Sequence, residues 1–85
     1  MANSEIQNVG PIFGDVLRRY RAELNVSQEE LAFRAGVDRT FVSRIERGIR
    51  QPTITTLIGL GLALGVSAAE LVREVEAEYL RQTAK

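Results

Sequence analysis

Arginine is the residue type through which this chain could do most of its chemistry. Ten of the eleven basic residues are arginine, and five of these lie between residues 34 and 50, against two acidic residues. A guanidinium offers its N–H donors in a planar fork that fits a phosphate or the O6 and N7 atoms of guanine. From residue 70 onward, four glutamates outweigh three basic residues. The net charge of zero therefore combines a basic segment with an acidic one, which favours nucleic-acid contact at one face only.

Several other kinds of chemistry are excluded by composition. The chain contains no cysteine and no histidine, so we expect no disulfide framework, no metal site built on these ligands and no catalysis by either residue. The remaining carboxylates fall on predicted solvated helix faces without a base partner, which argues against an enzyme. We therefore expect no cofactor and no small-molecule ligand.

The segment from Ser27 to Gly48 predicts two short helices joined by a tight turn. Ser27 and Glu30 form a capping box for the first helix, and Asp38 can cap the second. Gly36 can adopt the positive φ that such a turn requires. Apolar residues at helical spacing face the core from both helices: Leu31, Ala32, Ala35, Val42 and Ile45. Val37 is apolar as well and would enter the core beneath the turn. Two helices arranged in this way form a helix-turn-helix, whose second helix can enter a DNA major groove.

Three further helices complete an all-α prediction of five helices in one compact domain. The first helix of the chain is predicted at Phe13–Leu24. The fourth is capped by Thr53 and reaches Leu64, and the fifth covers Ala68–Gln82. Residues 1–11 end in Gly-Pro and predict a flexible arm, which leaves residues 12–85 as the domain. No segment has the length and hydropathy of a signal peptide or a membrane span, so we expect a cytoplasmic protein without a membrane partner.

The pattern of the predicted turn resembles that of the XRE family, the Cro and phage-repressor type. The resemblance covers about residues 13–71 and rests on Ala32, Gly36, Val37, Val42 and Ile45, with LRRYRAEL before them and SRIERGIRQPT after them. It implies a lambda-repressor-like fold. The run DRTFVSRIERG is most similar to the controller proteins of restriction–modification systems, although phage repressors and antitoxin-like regulators share its features.

The exposed side of the second helix of the motif supplies the candidate DNA contacts. We predict that four residues face base edges: Arg39, Thr40, Ser43 and Arg44. Either arginine could hold a phosphate instead. Candidate phosphate contacts are Ser27, Gln28, Arg47 and Arg50, where the role of Gln28 is implied by the resemblance and capping alone explains Ser27. Phe41 either packs at the edge of the core or lies against a sugar and a thymine methyl group.

A buried ion pair is also implied by the family resemblance. In this sequence it would join Arg21 of the first helix to Glu46 near the end of the recognition helix. Such a pair would fix the angle at which the recognition helix leaves the core. The alternative is two unrelated, solvated charges.

These observations predict a sequence-specific transcriptional regulator that binds a double-stranded, pseudo-palindromic operator as a homodimer. One helix-turn-helix contacts too few base pairs for useful specificity, so a pair is expected. The apolar residues of the last helix, with the apolar end of the fourth, predict the dimer interface: Leu71, Val72, Val75, Tyr79 and Leu80. The alternative for the first three is the monomer core.

Regulation of this protein is expected to depend on its own concentration, because no sensor domain fits in this length. This favours an autoregulated switch. The competing hypothesis is a protein-interaction module or an antitoxin-like partner-binding protein with the same fold, for which the zero net charge is the best support.

Overall fold

Five α-helices make up the structure, a computed structural model that describes residues 6–84. They are α1 (Val9–Leu24), α2 (Gln28–Ala35), α3 (Arg39–Glu46), α4 (Ile54–Leu64) and α5 (Ala68–Thr83). No strand occurs in this part of the chain. The prediction of an all-α, five-helix domain is confirmed.

Hydroxyl and carboxylate caps explain where four of the helices begin. The Oγ of Ser27 accepts a hydrogen bond from the backbone N–H of Glu30 at 3.0 Å, and Asp38, Thr53 and Ser67 cap the next three helices in the same way. The capping box predicted at α2 is only half formed. The carboxylate of Glu30 accepts from Arg34 Nε at 2.9 Å instead of turning back to the cap.

The start of α1 corrects the prediction of a flexible arm over residues 1–11. The helix begins at Val9 rather than at Phe13, so the last three residues of that segment are helical. Proline is tolerated in a first helical turn because the backbone N–H it lacks would have no partner there. Gly10 is buried in this turn. Residues 1–5 of the predicted arm lie outside the described residues.

One apolar core joins all five helices. Helix α1 packs against α3 and α5, while α2 packs against α3 and α4. The buried apolar side chains are Ile12, Phe13, Val16, Leu17, Leu31, Ala32, Val42, Ile45, Leu57, Leu60, Leu64, Leu71 and Val75. Burial of each large side chain of this kind contributes about 1.5–3 kcal/mol. The short helices α2 and α3 are held in place because their buried side chains pack into this core.

A polar contact joins α1 to α5 beside this core. The hydroxyl of Tyr20 donates to Glu74 Oε2 at 2.5 Å, and Arg19 pairs with the same carboxylate. The hydrogen bond to Glu74, with burial, raises the pKa of Tyr20 to about 12. Tyr20 therefore stays protonated and holds the two long helices together.

No single helix within residues 6–84 is both long and apolar enough to cross a membrane. Helices α4 and α5 reach the length and apolar composition of a membrane span only when taken together, and they are bent by 104° relative to each other.

Candidate nucleic-acid interface

The turn between α2 and α3 has the geometry that its residues predict. Gly36 ends α2 with φ of 73°, a conformation that costs glycine little because it has no Cβ. The chain then reverses, and the N–H of Val37 donates to the carbonyl of Ala32 at 3.0 Å. Asp38 starts α3 by accepting from the N–H of Thr40 at 2.9 Å. Two eight-residue helices are thus held in a helix-turn-helix.

Burial of one side of α3 determines which side faces solvent. Val42 and Ile45 are fully buried. Three of the four predicted base-reading residues, Arg39, Thr40 and Arg44, are exposed, and Ser43 is half-buried. The structure therefore places these four side chains on the outer side of a helix that the core supports from behind. Phe41 is half-buried and packs against the core, as in the first of its two interpretations.

The arginines of the chain divide into two groups. Six of the ten form ion pairs with a carboxylate: Arg18, Arg19, Arg21, Arg34, Arg73 and Arg81. Within residues 6–84 the other four make no such pair: Arg39, Arg44, Arg47 and Arg50. All four are exposed and lie on α3 or in the loop that follows it. Uncompensated positive charge is therefore concentrated at the outer side of the helix-turn-helix.

The two other predicted phosphate contacts already have partners in the structure. Ser27 is exposed, and its hydroxyl caps α2. Gln28 is half-buried and donates from Nε2 to Glu46 Oε1 at 3.0 Å. Both stand at the N-terminus of α2, where unpaired backbone N–H groups favour an anion.

Arg21 and Glu46 form the ion pair that the resemblance implied. Arg21 Nε lies 2.7 Å from Glu46 Oε2, and Arg21 Nη2 lies 2.9 Å from Oε1. The Glu46 side chain is only 3% exposed. Burial alone would raise the pKa of Glu46, but the hydrogen bonds from Arg21 and Gln28 outweigh it and hold that pKa below its ordinary value. The pair is accordingly ionised and connects α1 to the end of α3.

The structure corrects part of the predicted dimer interface. Leu71 is fully buried and Val75 nearly so, and both belong to the monomer core. A side chain enclosed in its own domain has no surface to offer a second copy. Tyr79 is half-buried against the core, whereas Val72 and Leu80 are exposed. Of the five predicted residues, only these last two present a substantial apolar surface.

Other exposed apolar side chains lie on α4, whose apolar end was predicted to share the interface, and on α2, where none was singled out from the sequence. Ile54, Ile58 and Leu62 form an exposed row on α4, at a spacing of four residues. Phe33 on α2 is 82% exposed. The hydrophobic pattern of α2 could have indicated the latter, because Phe33 falls between the core positions Leu31, Ala32 and Ala35 and cannot share their side of the helix.

Known proteins resemble this chain over the region that contains the helix-turn-helix. A family model described as helix-turn-helix matches residues 17–71. The chain belongs to the helix-turn-helix family. This match and the similarity to controller proteins show that the chain is an XRE-type, DNA-binding transcriptional regulator. The family is one of DNA-binding regulators and not of enzymes.

Three similar proteins show how far the likeness extends. The uncharacterized HTH-type transcriptional regulator y4dJ of Sinorhizobium fredii is 44% identical over 61 residues, which cover 72% of this chain and 79% of that protein. The control protein C.BamHI of Bacillus amyloliquefaciens is 38% identical over 66 residues, 76% of this chain and 82% of that protein. The controller protein C.Esp1396I, solved as a tetramer with its natural 35 base-pair operator, has a TM-score of 0.76 and 31% identity over 87% of this chain and 97% of that one.

Proposed function

We propose that this regulator binds a pseudo-palindromic operator as a homodimer, with α3 of each protomer in a major groove. The observation that carries the proposal is that the four arginines without an ion-pair partner among residues 6–84 all lie on α3 or the loop after it. Guanidiniums without a carboxylate partner are free to bind phosphate or guanine. Two protomers would place their α3 helices about 34 Å apart, one turn of DNA.

The contacts of α3 are proposed from exposure and position. Arg39, Thr40, Ser43 and Arg44 lie on the outer side of α3 and would face base edges. Arg47 and Arg50 follow the helix and would hold the phosphate backbone. These assignments give sequence preference to the first set and general affinity to the second.

Gln28 and Ser27 would hold a phosphate at the N-terminus of α2. The amide of Gln28 carries two N–H donors, of which one is used by Glu46 at 3.0 Å. The second donor can point to a phosphate without breaking the first hydrogen bond. In this arrangement Glu46 orients Gln28 before DNA arrives.

The dimer interface is proposed on an apolar surface that keeps Val72 and α4 from the prediction and excludes the buried Leu71 and Val75. This surface, the α4–α5 face, consists of Ile54, Ile58, Leu62 and Val72, all exposed. A groove between α4 and α5 joins Ile54 and Ile58 to Val72 through Ala68 and Ala69. A second copy is the occupant we propose, because an operator with two-fold symmetry requires a two-fold partner. Tyr79 and Leu80, further along α5, would lie at its edge.

The dimer interface can be tested with one charge on the α4–α5 face. Leu62 is 78% exposed, so Leu62→Asp leaves the monomer core intact but places a carboxylate in the proposed interface. We expect sedimentation to show a folded monomer. The matched control is Ile49→Asp, which charges an exposed isoleucine outside the α4–α5 face and should leave the dimer unchanged. Loss of the dimer in both variants, or in neither, would contradict the assignment.

Selection of bound duplexes from a random library tests the function itself. Purified protein at moderate salt should enrich an inverted repeat with half-sites about one helical turn apart. The operator obtained can then be located upstream of genes. A folded protein that enriches no sequence would overturn the proposal.

We extend the proposal to control of the protein's own gene, a cytoplasmic location and the absence of catalytic activity. The resemblance to controller proteins supports the first, and DNA as the target supports the second. A reporter driven by the protein's own upstream region should change its output when the protein is supplied separately. An unchanged output would exclude autoregulation.

The second candidate function is a protein-interaction module, and Phe33 favours it. Phe33 has 82% of its surface exposed on α2, so a second protein that covered this ring would bury apolar surface. If the library selection enriches no sequence, the protein-interaction module becomes the favoured function. If an operator is enriched, Phe33 is left as a surface for a partner bound beside the regulator.

A further inference from the structure

One side of α1 follows the carboxyl end of α3. Gly10, Gly14, Arg18 and Arg21 recur at a spacing of four or three residues, and each meets a part of the segment from Ile45 to Gly48. The closest approach is at Gly14. A Cβ built there would lie 2.6 Å from the carbonyl oxygen of Glu46 and 2.7 Å from that of Ile45. Only glycine lets the two helices come this close.

Arg18 binds the same end of α3 through the backbone. Its Nη1 donates to the carbonyl oxygen of Glu46 at 2.8 Å. The last carbonyl groups of a helix have no partner within the helix and carry partial negative charge, so a guanidinium satisfies them. Asp15 pairs with Nη2 of the same arginine and holds it in place. Arg18 thus anchors the main chain of α3, whereas Arg21 holds a side chain.

We infer that Gly14 and Arg18 are positioning residues that determine the sequence specificity of α3 without touching DNA. The inference rests on the proposed function. Helix α3 has eight residues, which is about 12 Å of length, so few contacts fix its direction. Base contacts require positioning to within about 0.5 Å. General attraction to phosphates does not require it. Displacement of α3 should therefore lower specific affinity and leave non-specific affinity nearly unchanged.

The effect of a methyl group at residue 14 follows from the atoms it would meet. Both are backbone oxygens of α3, which cannot rotate away as a side chain can. In Gly14→Ala, α3 must move relative to α1. The movement occurs at the end of the helix next to Arg44 and Arg47, so the whole exposed side of α3 changes its position.

The test compares binding to the selected operator with binding to an unrelated duplex at the same salt concentration. The variants are Gly14→Ala and Arg18→Met, both measured as folded dimers well below their unfolding temperature. Val16→Ala is the matched control. Val16 is buried in the same helix and lines the groove toward Glu74 and Ala77 of α5, so its truncation weakens the core on the side of α5.

We expect Gly14→Ala and Arg18→Met to lower specific affinity by about tenfold, the equivalent of one good base contact. Non-specific affinity should change by less than about twofold, because phosphate attraction needs charge rather than exact register. Val16→Ala should change neither, and Arg18→Lys, which keeps a cationic donor, should restore part of the specific affinity.

Three results would overturn the inference but leave the proposed function intact. Equal losses in Gly14→Ala and Val16→Ala would mean that stability, not position, is being measured. A loss of non-specific affinity in Arg18→Met would mean that Arg18 contacts phosphate directly. Unchanged specific affinity in Gly14→Ala would mean that α3 tolerates the displacement. A wild-type protein with equal affinity for both duplexes would refute the proposed function, and this inference with it.

Discussion

Helices α3 and α5 both carry arginines on their exposed sides, but they use them differently. On α5, Arg73 pairs with Glu70 and Arg81 with Glu78, each three residues away. On α3, Arg39 and Arg44 have no such neighbour within residues 6–84. The difference lies in the residues beside each arginine, not in their number. Arginines of α5 are solvated and compensated, whereas those of α3 are available to an anion.

This contrast explains how a chain with no net charge can belong to a family of DNA-binding regulators. Compensated pairs cancel at short range and contribute little to the field beyond a Debye length of about 8–10 Å. Within residues 6–84, the four arginines without a carboxylate partner all lie on α3 or in the loop after it. Net charge is therefore a poor guide to nucleic-acid binding when acidic and basic residues occupy different faces.

The largest effect is expected from removing the arginines of α3. Arg39→Ala with Arg44→Ala should lower the affinity for the selected operator by about 10²–10⁴-fold, because each bidentate base contact contributes about 1–3 kcal/mol. Fluorescence anisotropy measures it. The matched control, Arg19→Ala with Arg81→Ala, removes the same charge from paired arginines on α1 and α5 and should change affinity by less than about threefold. Equal losses would show that total charge, not its position, controls binding.

The next effect concerns Arg21–Glu46, the one buried ion pair in the part of the chain that the structure describes. Glu46→Gln should lower the free energy of unfolding by about 3 kcal/mol, because it leaves Arg21 without its charged partner. Urea denaturation measures the loss. Glu30→Gln breaks an exposed pair with Arg34 and should cost about 0.3–0.5 kcal/mol. Similar losses in the two variants would mean that burial adds nothing to the Arg21–Glu46 pair.

The same pair predicts a dependence on pH. The pKa of Glu46 is lower in the folded chain than its ordinary value of 4.5, so its stabilising effect is complete above pH 4.5 and is lost as the pH falls through the folded pKa. The difference in unfolding free energy between the wild type and Glu46→Gln should therefore shrink on acidification below that pH. A difference that stays constant down to strong acid would contradict the role of ionised Glu46.

The smallest effect is expected from a single phosphate contact. Arg47→Ala should weaken binding to all duplexes by a similar factor and reduce the slope of log affinity against log salt by about one. Arg34→Ala removes a paired arginine from α2 and should leave the slope unchanged. If Arg47→Ala changed sequence preference and not the slope, it would belong with the base contacts.

Local signals in the sequence predicted most of the fold and the outer side of α3. The caps at Ser27, Asp38 and Thr53 and the turn at Gly36 depend on residues only a few positions apart, so they can be recognised directly. The predicted start of α1 was wrong because a Gly-Pro pair ordinarily marks a break between elements. Here Gly10 and Pro11 lie within the first turn of α1, where they pack against Gly48, far along the chain.

The dimer surface and the supports of α3 could not be predicted in the same way. Helix α5 carries a continuous apolar stripe, and only the packed structure shows that Leu71 and Val75 are used in the core while Val72 is not. The contacts of Arg18 and Gln28 with Glu46 join residues 28 and 18 positions apart. No local pattern encodes such distances.

The most direct test of the account is to map the DNA contacts by amide chemical shifts. Titration of the isotope-labelled protein with its selected operator should perturb the amides of Gln28 and of residues 39–50 most strongly, with little change along the exposed side of α5. This result would place the duplex on the unpaired arginines. Largest changes around Arg73 and Arg81, or around Phe33, would contradict the central claim that unpaired arginines define the DNA-binding face.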